Sequence, residues 1–111
     1  MLATTTGLAI ASSEGNAEWP VANDLAAYGI HLRMSYREAR QRMIKHGWAP
    51  DPIEANARHT AAHPPYPEFP EVLCGEGYDA ICSGWFSKGS ESRMLDVRAV
   101  KKVLVVRGSS Q

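Results

Sequence analysis

The two cysteines have the most specific chemistry open to them in this chain. Seven residues separate Cys74 from Cys82, and Gly75 and Gly77 let the chain turn between them. A disulfide closing such a loop would stabilise the fold by about 2.5 kcal/mol on the chain-entropy account. The spacing is wider than Cys-x-x-Cys and no strand–helix–strand pattern surrounds it, which speaks against a redox-active pair. Two other chemistries stay open. The sulfurs could be buried free thiols, or they could join His59 and His63 in a four-ligand zinc site, since His59-x-x-x-His63 has a ligand-like spacing. Against zinc, the histidines precede the cysteines in a proline-rich stretch, and Cys-x7-Cys is wide for a usual knuckle.

The remaining polar candidates have plainer explanations. His31 and His46 read as a solvated residue and a helix C-terminal charge. Glu68 and Glu71 flank Phe69-Pro70, while Glu76 and Asp79 lie between the cysteines; both pairs read as solvated turn acids, too few for a calcium loop. There is no Gly-x-Ser-x-Gly elbow and no glycine-rich phosphate loop. No catalytic residue and no cofactor are expected. Aromatic side chains gather near the cysteines. Trp85 and Phe86 are adjacent on a strand and must point to opposite faces. Together with Trp48 and Tyr78 they form the candidate binding surface.

The elements that must position these residues follow from pattern. Ser35-Tyr36-Arg37-Glu38 is a capping box, with Met34 and Ala39 placed for a hydrophobic staple. Tyr36, Ala39, Met43 and Ile44 recur at helical spacing and define an apolar face. Arg37, Arg40, Gln41 and Arg42 supply the solvated one. Lys45 and His46 suit the helix C-terminus, and Gly47 supplies the left-handed residue that stops it. Ahead of this helix, Asp24–Tyr28 predicts a helical turn closed by Gly29, and Ile30, Leu32 and Met34 alternate as an extended lead-in. After it, residues 51–70 hold five of seven prolines and read as a long surface loop, with a weak helical turn within 54–62. Strands are predicted over Ile81–Phe86, Arg93–Val100 and Lys102–Arg107, with turns at Lys88–Glu91 and near Ala99–Lys101. The last strand is apolar on both sides, which suggests cover on both faces. Residues 108–111 should fray.

The reading is therefore α+β: one amphipathic helix packed on a three- to four-stranded antiparallel β-meander, in a single domain over 23–108. Residues 1–22 are expected to carry no fold, as a disordered arm or a signal-peptide remnant. Their uncharged start, with Ala9-Ile10-Ala11 in small-x-small form, resembles the tail of a signal peptide. No apolar run is long enough to span a bilayer. Twelve basic residues balance twelve acidic ones, so no global field favours nucleic acid.

The order of features resembles a group of small exported bacterial proteins of unassigned function. The matching residues are Ser35-Tyr36-Arg37-Glu38-Ala39-Arg40, Gly47-Trp48-Ala49-Pro50, Pro70-Glu71, Cys74, Cys82 and Trp85. The likeness covers residues 34–107 and implies export but no activity. The Ser-x-x-Glu-Ala…Gly helix alone is also similar to the opening of a PASTA module, from which the cysteine pair departs. The expectation is a monomeric, non-enzymatic, periplasmic or secreted module that contacts a protein or a cell-envelope component. The alternative is a small metal-binding protein using His59, His63, Cys74 and Cys82.

Overall fold

A computed structural model describes residues 17–58, 66–75 and 81–111. The architecture is α+β, and its helices form where the pattern places them. Helix α1 (Asn23–Ala27) is a single turn that buries Leu25, and Gly29 leaves it at φ 91°. Helix α2 (Tyr36–Lys45) starts at Ser35, whose hydroxyl accepts from the Glu38 amide at 3.2 Å. The reciprocal half of the box is replaced: the Glu38 carboxylate accepts from Arg42 Nη2 at 2.8 Å, one turn further on. Gly47, at φ 93°, stops the helix. Tyr36, Ala39 and Met43 are fully buried, and Met34 joins them as the staple.

The lead-in to α2 is a turn rather than an extended segment. Ile30 donates back to the Leu25 carbonyl at 3.2 Å, and Arg33 adopts φ 71°. Ile30 and Met34 are both buried. Three alternating apolar residues cannot distinguish a strand from a turn that tucks both its ends into the core.

Strand β1 (Ala49–Pro50) leads into helix α3 (Pro52–Arg58), which opens with the Asp51 carboxylate accepting from the Glu54 amide at 2.9 Å. Strand β2 (Val72–Cys74) follows, then β3 (Ile81–Lys88), β4 (Glu91–Val100) and β5 (Val103–Ser109). The five strands form one antiparallel sheet. β3, β4 and β5 are a meander, while β1 and β2 both pair along the outer edge of β3. On β3 the residues alternate, with Cys82, Gly84 and Phe86 turned into the core. Gly84 is required there: a Cβ would stand 2.7 Å from the Tyr36 hydroxyl and 2.9 Å from its ring. The main cluster joins these residues to Leu25, Tyr36, Met43, Trp48, Phe69, Leu95, Val97 and Val106. Leu73 pairs with Ser83 and so lies on the opposite face, where α3 packs over β2 and β3.

The far edge of the sheet shows why the two ends of the domain do not behave as loose tails. The register passes from Asp96↔Gly108 to Val97↔Val106, which leaves Arg107 as the extra residue of a bulge. The chain before α2 then covers this edge. Arg33 donates to the Val106 carbonyl at 2.7 Å, Val106 donates to the Met34 carbonyl at 2.9 Å, and Trp19 donates to the Arg107 carbonyl at 3.0 Å. Trp19 also fills the space over Gly108, where a Cβ would meet its Nε1 at 2.5 Å, and its ring lies 4.4 Å from the Arg107 guanidinium. Ser109 is buried and its hydroxyl accepts from the Ala22 amide at 2.9 Å. Residues 17–22 are therefore part of the fold, and Gly108 and Ser109 belong to β5. The termini stabilise each other through pairings far apart in sequence, which local patterning cannot reveal. β5 is also less enclosed than its composition suggests: Leu104 and Val106 are buried, but Val103 is 53% exposed.

Candidate functional site

The cysteines are joined. Cys74 and Cys82 face each other across β2 and β3 in a disulfide, with 4.0 Å between their Cα atoms. Both sulfurs are consumed by that bond, so the four-ligand zinc set loses two thiolates. His59 and His63 lie outside the described residues. Among the described residues no group of three or more His, Cys, Asp or Glu could hold a metal.

Two of the four residues expected in the aromatic surface, Trp48 and Phe86, are taken by the core. Phe86 is fully buried in the main core and Trp48 is 3% exposed beneath α2. Trp48 donates from Nε1 to the Tyr28 hydroxyl at 3.1 Å, and the Lys88 ammonium and Arg93 guanidinium stand 5.8 and 5.7 Å from its ring. Trp85 does point to the opposite sheet face, where it is half-buried beside Met94. Tyr78 lies outside the described residues. Adjacent strand positions separate Trp85 from Phe86, and the core takes the larger share.

A different constellation carries the polar chemistry. Glu71, expected as a solvated turn acid, is fully buried. Its Oε2 accepts from the Tyr36 hydroxyl at 2.6 Å and from Arg40 Nε at 2.7 Å, while Oε1 accepts from Arg40 Nη2 at 3.3 Å. The pair is a two-pronged guanidinium–carboxylate contact, the geometry in which charged hydrogen bonds are strongest. Desolvation, reinforced by the Glu71 charge, holds the Tyr36 phenol well above its ordinary value of 10.0. The hydrogen bond to Glu71 raises Arg40 in turn. Residue type places Arg40 on the solvated face, yet it stands only about 40° from Tyr36 around the helix, against about 80° for Ile44. Ile44 is 45% exposed. The spacing held the signal; the residue names concealed it. Every hydrogen-bonding atom of the Glu71 carboxylate is directed at this chain, so the triad anchors the Pro70–Glu71 turn to α2.

Beside that anchor lies an open cleft of about 290 Å³. Its walls are Ser35 and Arg37 at the start of α2, Glu68 and Phe69 in the turn before β2, and Lys102 and Val103 in the β4–β5 hairpin. That volume is near the lower end for ligand sites and suits one or two side chains better than a whole cofactor. The Phe69 ring separates cleft from anchor: it meets Tyr36 edge-on at 5.0 Å, and the guanidinium groups of Arg37 and Arg40 stand 5.0 and 5.3 Å from it. The hairpin wall is strained. Lys101 and Lys102 form the two-residue turn between Val100 and Val103 with φ of 52° and 72°. Asn-Gly is the usual choice there, and left-handed backbone costs an ordinary residue roughly 1–2 kcal/mol.

A second buried charge lies on the other sheet face. Burial pushes the Asp96 carboxyl above its ordinary value, and the nearby Arg107 guanidinium opposes that shift. His31 is exposed, and His46 is stacked on Tyr28 with ring centroids 4.0 Å apart. No described helix is long and apolar enough to cross a membrane. Comparison with known protein families, with curated proteins and with solved structures finds no match to this chain.

Proposed function

We propose that this chain is a non-enzymatic, exported binding module that contacts a protein or a cell-envelope component through the cleft between α2, the Glu68–Phe69 turn and the β4–β5 hairpin. The observation that carries this reading is the contrast in how the polar side chains are used. The buried carboxylate of Glu71 is spent on Arg40 and Tyr36, whereas the cleft beside it keeps its cations and Val103 at the surface. An enzyme tends to do the reverse and hold perturbed titratable groups within its cleft. The disulfide supports a periplasmic or secreted home, since such bonds persist in oxidising compartments.

Photo-crosslinking tests the surface. A photoreactive residue replacing Val103 should give discrete adducts with envelope or extracellular fractions of the producing cells. One replacing Ile53, which is 81% exposed on α3, should not. The same adducts from both positions would reject the cleft as the contact surface. Alkylation of the native protein without reductant tests the compartment: an unmodified mass two protons light supports export, and two added alkyl groups would contradict it.

A further inference from the structure

We infer that the cleft receives an acidic, apolar segment of a partner protein, with carboxylates against Arg37 and Lys102 and an intervening apolar side chain against Val103. This deepens the reading of the cleft as contact surface and rests on it.

Only part of the cationic surface is paired. Arg33, Arg40, Arg42 and Arg93 each hold a carboxylate, from Glu18, Glu71, Glu38 and Asp24. Among the described residues Arg37, Lys45, Lys88, Arg98, Lys101 and Lys102 have no such partner; of these, exposed Arg37 and Lys102 line the cleft and exposed Lys101 adjoins Lys102. Against these cations the cleft sets one acid, Glu68. The chain as a whole has a net charge of zero. The cleft is therefore a local positive patch on a neutral protein, and electrostatic complementarity favours a carboxylate-bearing occupant.

The apolar part narrows the class. Phe69 and Val103 line the same cleft; Val103, 53% exposed, supplies its open apolar surface, while Phe69 is buried at its wall. A polyphosphate-like chain would leave this apolar surface unused and would meet Glu68 as a like charge. A peptide that alternates acidic and apolar side chains satisfies both. Docking must use side chains rather than strand addition, because Arg33, Met34 and Trp19 already occupy the outer edge of β5.

The test is fluorescence anisotropy on the oxidised full chain with a labelled peptide of alternating glutamate and leucine. The inference predicts binding that weakens as salt rises. Arg37→Ala and Lys102→Ala should each reduce affinity by up to about fivefold, the scale of an exposed ion pair. Lys45→Ala, on the far end of α2, should leave it unchanged. Equal or tighter binding of the lysine–leucine counterpart would overturn the inference, as would an affinity indifferent to Arg37→Ala, no binding at all, or tighter binding of inorganic polyphosphate. None of those results alters the crosslinking outcome at Val103, so failure of the acidic occupant is distinguishable from failure of the cleft as a contact surface.

Discussion

The Glu71 anchor and the cleft share Phe69 as a wall, yet they treat polar groups in opposite ways. At the anchor, a carboxylate and a phenol are removed from water and hydrogen-bonded to each other and to a half-buried guanidinium. At the cleft, Arg37 and Lys102 remain solvated, and a hairpin is held in a strained conformation by two lysines. The difference teaches where each region's free energy goes. Satisfied burial fixes the position of the turn that carries Glu68 and Phe69; unsatisfied exposure leaves the neighbouring surface able to meet something else.

The sharpest way to break this contrast is at its buried side. Glu71→Ala should destabilise the domain by about 3 kcal/mol, because it strands a half-buried Arg40 and a buried Tyr36 hydroxyl. Urea unfolding measures this, and a loss below about 1 kcal/mol would show that the anchor is decorative. Replacing Cys74 and Cys82 together by serine should cost about 2.5 kcal/mol by releasing the loop they close. A denaturation midpoint insensitive to reductant in the parent protein would contradict that.

The cleft side responds with the opposite sign. Changing Lys101 to Asn and Lys102 to Gly should stabilise the fold by about 1 kcal/mol through relief of backbone strain. The same change should weaken binding of the acidic peptide. Gain of stability with unchanged binding would separate the strain from the function. Smaller still is the loss of the Ser35 cap: Ser35→Ala should cost about 1 kcal/mol or less in the same urea assay.

Titration tests the buried acidic groups on the two faces of the sheet. The folded-state pKa of Tyr36 lies above its unfolded value, so its contribution is complete below pH 10 and is lost as pH rises beyond that. Tyr36→Phe should remove that alkaline loss. Asp96 is raised in the same way, because burial disfavours its ionised form as well. Stability should therefore fall as pH climbs from about 3.8 through the raised value, and Asp96→Asn should flatten that slope. A pH profile unchanged by either substitution would contradict the assigned environments.

How much of this was legible before folding follows from the range of each interaction. The Ser35 cap, the Gly47 stop and the three meander strands are local patterns, and each forms close to where it was read. The disulfide was legible because its partners sit close in sequence and its glycines suit the turn. The anchor was not, because Arg40 and Glu71 are separated by 31 positions and each alone resembles a solvated charge. Trp19 and Gly108 are further apart still, and nothing in either neighbourhood announces the other. The aromatic surface loses two of its members for a related reason: Trp48 and Phe86 are hydrophobic enough to bind a partner, but the core competes for them first. Pro70-Glu71 reads in sequence as a solvated turn, and burial of Glu71 gives the dipeptide its structural role.

The central claim is that partners meet the cleft while the anchor acts only as its support. An amide chemical-shift map of the oxidised protein, titrated with the glutamate–leucine peptide, tests it most directly. The account predicts shifts concentrated at Ser35, Arg37, Glu68, Phe69, Lys102 and Val103, with the Trp85 indole unmoved. Shifts centred on Trp85 and Met94 instead would place the binding surface on the opposite sheet face and contradict it.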